Sequence, residues 1–288
     1  MSLTIAKLLR QGAKRLAQAG IDDAKLSSRL FLQHLLNKTP SELQLASDNK
    51  VGNDIIKTFN ELIDKRCKHF PLQYLIGEVE FYNVRLKVNQ NVLIPRPETE
   101  VLVETLIDLL KDKQSIRLLD IGIGSGNIAI ALAVNIEAIK ITAIDISETA
   151  LNTASENARL NRAADKIDFR IGDCQTDSFW DEINEYDVIV SNPPYIASDE
   201  FETLQPEVKL YEPKESLIAG DDPLIFFKAI VEKSNKHLKP DGIICFEVGI
   251  GQASDVAAIL KTCHKNIDIK VIKDLAGIER VVIGRPNI

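Results

Sequence analysis

The chain has 288 residues, enough for two domains. Its 45% hydrophobic and 27% charged residues suit a soluble globular protein, and no apolar run nears the ~20 residues a membrane helix needs. A net charge of −7 argues against a protein that tracks a nucleic-acid backbone, and four scattered cysteines and four histidines without ligand spacing support neither a disulfide frame nor a zinc site.

Residues 1–72 read as helical. The first ten lack the apolar core and small-residue cleavage site of a signal peptide, so a cytoplasmic location is expected. Ile55, Phe59, Leu62 and Ile63 fall at helical spacing. Thr39-Pro40-Ser41-Glu42 predicts a capping box with proline at the first helical position. Residues 1–75 carry a net charge of +5 and residues 76–288 a net of −12. A basic head on an acidic body suggests a partner-facing surface, although ordinary solvated helix faces explain it equally well.

Residues 73–92 switch to strand-like alternation, with Val79, Phe81, Val84, Leu86 and Val88 disposed about Tyr82-Asn83. That pattern predicts a β-hairpin joining the helical head to a third region, residues 93–288. There strands and helices alternate. Strands are expected at 116–121, 139–144, 167–171, 188–190, 243–248, 267–272 and 280–283. The expected fold class is α/β, a mostly parallel sheet with helices on both faces.

Two loops carry chemistry. The first, Asp120-Ile121-Gly122-Ile123-Gly124-Ser125-Gly126, follows one apolar strand and precedes an apolar helix. Its glycines let backbone approach a nucleotide-like ligand. It is not the G-x-G-x-x-G of a dehydrogenase, because the sixth position is Asn127, and no phosphate loop of the G-x-x-x-x-G-K type is present. The next strand ends in Asp145, placed to accept hydrogen bonds from ribose hydroxyls, or else merely leading into a helix at Ser147. The strand after that runs into Gly172-Asp173-Cys174, whose backbone would flank an adenine ring.

The second loop, Asn192-Pro193-Pro194-Tyr195, follows the apolar run Val188-Ile189-Val190. An amide nitrogen is a poor nucleophile while its lone pair is delocalised. Two acceptors aimed at its N–H bonds favour localisation of that pair. The Asn192 side-chain oxygen and the Pro193 carbonyl are the candidates. Two prolines stiffen the loop, and Tyr195 could stack on a planar substrate group. Alone, the tetrapeptide is also an ordinary turn sequence. Together the loops suggest methyl transfer from S-adenosylmethionine to an amide or amine nitrogen.

These loops, with Pro71-Leu72-Gln73-Tyr74-Leu75-Ile76-Gly77 and Ile94-Pro95-Arg96-Pro97-Glu98-Thr99-Glu100, resemble the PrmC/HemK family over nearly the whole chain. The resemblance implies a Rossmann-like S-adenosylmethionine-dependent methyltransferase domain behind a small helical substrate-recognition domain. It implies methylation of a glutamine side-chain nitrogen (N5) in the Gly-Gly-Gln motif of peptide chain release factors. It places cofactor contacts at Gly122, Ile123, Gly124, Ser125, Gly126, Asp145, Cys174 and Asn192, and the target glutamine at Asn192, Pro193, Pro194 and Tyr195. The chain departs from the family's usual glycine at Asp221-Asp222-Pro223. A monomer, free of membrane and direct nucleic-acid contact, is expected. The alternative is a nucleic-acid exocyclic-amine methyltransferase acting on adenine N6 or guanine N2.

Overall fold

The computed structural model describes residues 3–264 and 266–286. The chain divides into two compact units, residues 1–77 with 205–211 and residues 78–204 with 212–288.

The helical unit begins with α1 (Ile5–Gln18), whose first turn is capped by the Thr4 hydroxyl accepting from the Lys7 N–H. α2 (Ala24–Leu36) closes at Asn37 in the left-handed region. α3 (Pro40–Leu45) carries the expected capping box: Thr39 and Glu42 bond reciprocally, and Pro40 is the first helical residue. α4 (Asn53–Arg66) buries Phe59 and Ile63, while Ile55 and Leu62 pack only partly. α5 (Leu72–Ile76) is a single turn between Pro71 and Gly77, and Gly77 takes a φ of 85°. Residues 73–76 are therefore helical rather than part of the hairpin, because Leu72, Leu75 and Ile76 pack into the helical core.

The same unit includes a segment from far along the chain, around the helix Pro206–Tyr211, tenth in chain order (α10). Arg66 is buried and pairs with Glu207 and, at 3.1 Å, with Asp23. The Tyr211 ring lies 4.7 Å from that of Phe70, and its hydroxyl donates to the Lys68 carbonyl. The contacts of Glu207 and Tyr211 join residues more than 140 positions apart, so no local pattern announces them.

The second unit opens with the hairpin, β1 (Glu78–Phe81) against β2 (Val84–Lys87). Tyr82 and Asn83 have φ of 40° and 63°, the positive pair that a two-residue type I′ turn needs. After α6 (Thr99–Leu110) come β3 (Ile116–Ile121), α7 (Asn127–Asn135), β4 (Ile139–Asp145), α8 (Glu148–Leu160), β5 (Ile167–Ile171), α9 (Asp177–Asp181) and β6 (Tyr186–Ser191). A short parallel pair follows, β7 (Ile196–Ala197) with β8 (Ile218–Gly220). The chain ends with α11 (Ile225–Ser234), β9 (Leu238–Glu247), α12 (Ala253–Cys263), β10 (Ile267–Lys273) and β11 (Glu279–Pro286).

Seven strands form one sheet in the order β10-β11-β9-β6-β3-β4-β5. β5, β4, β3, β6 and β9 are mutually parallel, and β11 is antiparallel to both its neighbours. Both faces are buried. Leu118, Val188, Val190 and Ile243 join one apolar cluster with α6, α7 and α8. Leu119, Ile121, Ile189 and Ile244 join the other with α11 and α12. This double burial explains why the central strands read as apolar runs, whereas the edge strands β5 and β10 alternate. The strand order reverses between β3 and β6, and at such a point the loops beyond the carboxyl ends of the strands part to leave a crevice.

Among the described residues no helix is long and apolar enough to cross a membrane, and no group of three or more potential metal ligands is assembled.

Candidate active site

The crevice holds a cavity of about 530 Å³. Its wall is built from the ends of β3, β4, β5 and β6, so it collects Gly122, Ile123, Gly124, Ser125, Asp145, Cys174, Asn192, Pro193 and Pro194. Sheet register accounts for the meeting: Ile121 pairs with Ser191 and Ile144, so each strand releases its loop at the same level. The Ser191 hydroxyl donates to the Ile121 carbonyl at 2.7 Å, tying the roots of the two principal loops together.

Gly122 and Gly124 have φ of 79° and 54°. A Cβ placed on either would meet no atom within 4 Å. Their backbone therefore fronts open space, as a ligand cradle does, instead of packing against protein. Gly126 stands apart: it caps α7 with φ 86°, and a Cβ there would come within 2.7 Å of Ile130. Its place is behind the cradle rather than in the cavity wall.

Asp145 accepts from the Gly124 N–H through Oδ2 and from the Ser147 N–H through Oδ1, both at 2.9 Å. Burial raises its pKa, while these backbone donors oppose the shift. Each carboxylate oxygen keeps a second lone pair for a ligand hydroxyl. Cys174 is buried against the cavity, and its carbonyl accepts from the Trp180 indole N–H at 2.7 Å. Burial pushes its thiol up to about 12, so it stays protonated and apolar beside any ring that docks there.

Tyr195 lies near Glu247, Arg280 and Arg96. It is absent from the cavity wall and packs against the apolar cluster of α11 and α12, with its Cδ2 near Gly249. The Gln252 side-chain amide donates to its carbonyl at 2.9 Å and accepts from the Gly249 N–H at 3.0 Å. These bonds anchor the loop where residues after Pro194 turn back into the core.

Several wall residues escape local sequence reasoning. Arg96 and Thr99 line the cavity. Glu212, buried, accepts from the Ile94 N–H at 3.1 Å and pairs with Arg96 at 2.6 Å, fixing that segment. Asn157 is fully buried and reaches three backbone groups: it accepts from the Lys87 N–H and donates to the carbonyls of Lys87 and Ser125. Asp120, at the root of the glycine loop, is buried with neither carboxylate oxygen hydrogen-bonded. Burial raises its pKa to about 7, opposed by the Ala129 backbone and reinforced to a smaller extent by the Asp145 charge.

The lining has three carboxylates, Asp145, Asp173 and Glu215, against a single guanidinium, Arg96. Such a wall repels a pyrophosphate and suits a ligand bearing positive charge. The orphaned Asp120 carboxyl points the same way. An open glycine cradle, an acid at the ribose position and negative charge together fit S-adenosylmethionine.

Fold and cavity define a Rossmann-like methyltransferase that uses S-adenosylmethionine. Residues 7–77 match the PrmC N-terminal domain, and residues 97–208 the methyltransferase small domain. A release factor glutamine methyltransferase of Thermodesulfovibrio yellowstonii is 43% identical over 84% of this chain and 86% of its own length. Its counterpart in Caulobacter vibrioides is 33% identical over 100% of this chain and 98% of its own. The chain belongs to the family of release factor glutamine methyltransferases. The solved catalytic domain of hMettl16 superposes with a TM-score of 0.57 over 71% of this chain and 76% of that one; at 17% identity it supports the fold alone.

Proposed function

We propose that the protein methylates the side-chain nitrogen (N5) of the glutamine in the Gly-Gly-Gln motif of peptide chain release factors. The reading rests on the placement of Asn192, Pro193 and Pro194 in one cavity with the glycine loop, in a chain of this family. Cofactor contacts come from the backbone of residues 122–125, from Asp145 to the ribose, and from Cys174 beside the adenine, with Gly126 shaping the loop from behind. The basic helical unit holds the release factor. The enzyme works in the cytoplasm as a monomer and makes no direct use of nucleic acid.

When bound, S-adenosylmethionine supplies an electrophilic methyl group on a sulfonium. The Asn192 Oδ1 and the Pro193 carbonyl accept the two N–H bonds of the glutamine amide. They favour the pyramidal nitrogen whose lone pair attacks, and they stabilise the positive charge it gains. The new N–CH3 bond uses that lone pair, the C–S electrons stay on sulfur, and one proton passes from nitrogen to water. The prolines hold both acceptors in place before substrate arrives.

Incubation with labelled methyl donor and release factor, RNA or DNA, followed by peptide mass analysis, tests this reading. Label should enter the glutamine-bearing release-factor peptide and disappear when that glutamine is alanine. Label in RNA or DNA instead would favour the exocyclic-amine alternative. Asn192→Ala should lower turnover ~10²–10³-fold, as loss of one preorganised hydrogen-bonding group does, with a smaller effect on cofactor affinity. Full turnover by that variant would remove Asn192 from the mechanism.

A further inference from the structure

Glu247 ends β9 one residue beyond Phe246, and Asn192 follows β6 one residue beyond Ser191. Phe246 and Ser191 are register partners in parallel strands, so Glu247 and Asn192 stand side by side on the edge of the sheet. The carboxyl is 2% exposed, and its Oε2 has no hydrogen-bond partner. Its chain neighbours Phe246 and Val248 are core apolar residues, so packing alone calls for nothing ionisable here. A buried carboxyl with an unpartnered oxygen is costly and needs a reason.

The surroundings supply one. The Asn192 amide and the Thr99 side chain are the polar neighbours of the Glu247 carboxyl, and each favours its ionised form. An amide side chain has two nearly isosteric ends, and rotation by 180° exchanges acceptor for donor with little steric penalty. A carboxylate accepts only. Beside it, Asn192 must present its NH2 end, which leaves Oδ1 for whatever lies in the cavity.

We propose that Glu247 is the positioning residue of the site: it holds the NH2 end of Asn192 and thereby turns Oδ1 toward the target nitrogen. This deepens the glutamine-methylation reading and rests on it for the identity of that nitrogen. Protonated Glu247 can donate to Oδ1 and reverse the amide, so turnover depends on its ionisation. Burial raises its pKa to about 7, opposed by Thr99, Arg280 and Asn192 and reinforced by Glu98. The charged or titratable groups around it are Arg280 from β11, Glu98 ahead of α6, Tyr195 from the loop and Cys245 on its own strand. Burial raises the Tyr195 hydroxyl to about 12 and pushes the Cys245 thiol well above its ordinary value, so neither titrates near neutrality.

The test uses the full chain. Without substrate, the Asn192 side-chain NH2 resonances, identified by their loss in Asn192→Ala, should titrate with a midpoint near 7 and stop titrating in Glu247→Gln. With release factor, turnover should rise with pH through the same midpoint. Glu247→Gln should keep part of the rate and lose that pH dependence, since one end of its amide still accepts. Glu247→Leu should lose ~10²-fold in turnover, the scale of a misplaced reacting group, with cofactor affinity within about twofold of the wild type. Static Asn192 resonances across neutral pH, or full turnover by Glu247→Leu, would overturn the proposal. Titrating resonances in a protein that methylates no release factor would instead overturn the substrate reading and leave the positioning role standing.

Discussion

Asp120 is a single residue whose cost can be measured. Its folded pKa, about 7, lies above the ordinary 3.8 because burial disfavours the charge. A carboxyl raised in the folded state binds a proton at pH values where the unfolded chain has already lost it. Stability therefore falls as pH rises between ~4 and ~7, and the deficit persists above that window. Asp120→Asn removes the charge and keeps the shape. Without cofactor, the variant should melt at least ~5 °C above wild type at pH 8, given ~2–4 °C per kcal/mol, and close to wild type at pH 4.5. Equal melting temperatures at both pH values would show that Asp120 is not a buried charge. At this scale the sequence was legible wherever a residue type is tied to one chemistry. Gly122, Gly124, Asp145, Asn192 and Pro193 all reach the cavity, as the two loop motifs imply. The position of the Tyr195 ring was not legible, because a motif fixes backbone position, while the packing of Gly249 and Gln252, more than 50 residues on, decides where the ring goes.

Between elements, one side chain joins three. Asn157 on α8 clips β2 through the Lys87 N–H at 2.7 Å and the Lys87 carbonyl at 2.9 Å. The same amide donates to the Ser125 carbonyl at 2.9 Å, so it also holds the glycine loop. Asn157→Ala leaves these backbone groups buried and unpaired at ~1–3 kcal/mol each. Thermal melting should fall by several degrees, and calorimetry should show weaker cofactor binding, because the cradle loses its support from behind. A stability loss with cofactor affinity intact would mean the glycine loop holds its shape without Asn157. Sequence pattern located the seven sheet strands: the central ones as apolar runs buried on both faces, and the edge strands β5 and β10 by alternation of apolar with charged residues. It did not mark β7 and β8, which are two and three residues long and too short for any period to register. The first part of β9 was hidden as well: Lys239-Pro240-Asp241-Gly242 reads as a turn, yet lies within the strand beside a register shift against β6. The helical head was legible through its helical spacing and capping box, and its edge was not, because the one turn of helix over 72–76 is too short for its period to stand apart from the alternation that follows.

At the scale of the molecule, the chain leaves the helical unit after residue 77, returns for residues 205–211 and leaves again. The helical unit carries the excess of basic residues; the sheet unit carries the cavity and the acidic excess. If the helical unit recognises the release factor, its removal should separate recognition from chemistry. The fragment 78–288 is the informative one, since it keeps the hairpin that Asn157 clips to the glycine loop. It strands α10, whose Glu207 and Tyr211 lose Arg66, Phe70 and Lys68. The fragment should still bind S-adenosylmethionine, because every wall residue of the cavity lies within it. A short Gly-Gly-Gln peptide makes little use of a docking surface, so full chain and fragment should methylate it at similar rates. Intact release factor should be methylated far more slowly by the fragment, with the loss in KM rather than in kcat. Undiminished activity on intact factor would remove recognition from the helical unit. Equal loss on peptide and protein would show that the unit supports the catalytic fold instead, through the α10 segment it holds.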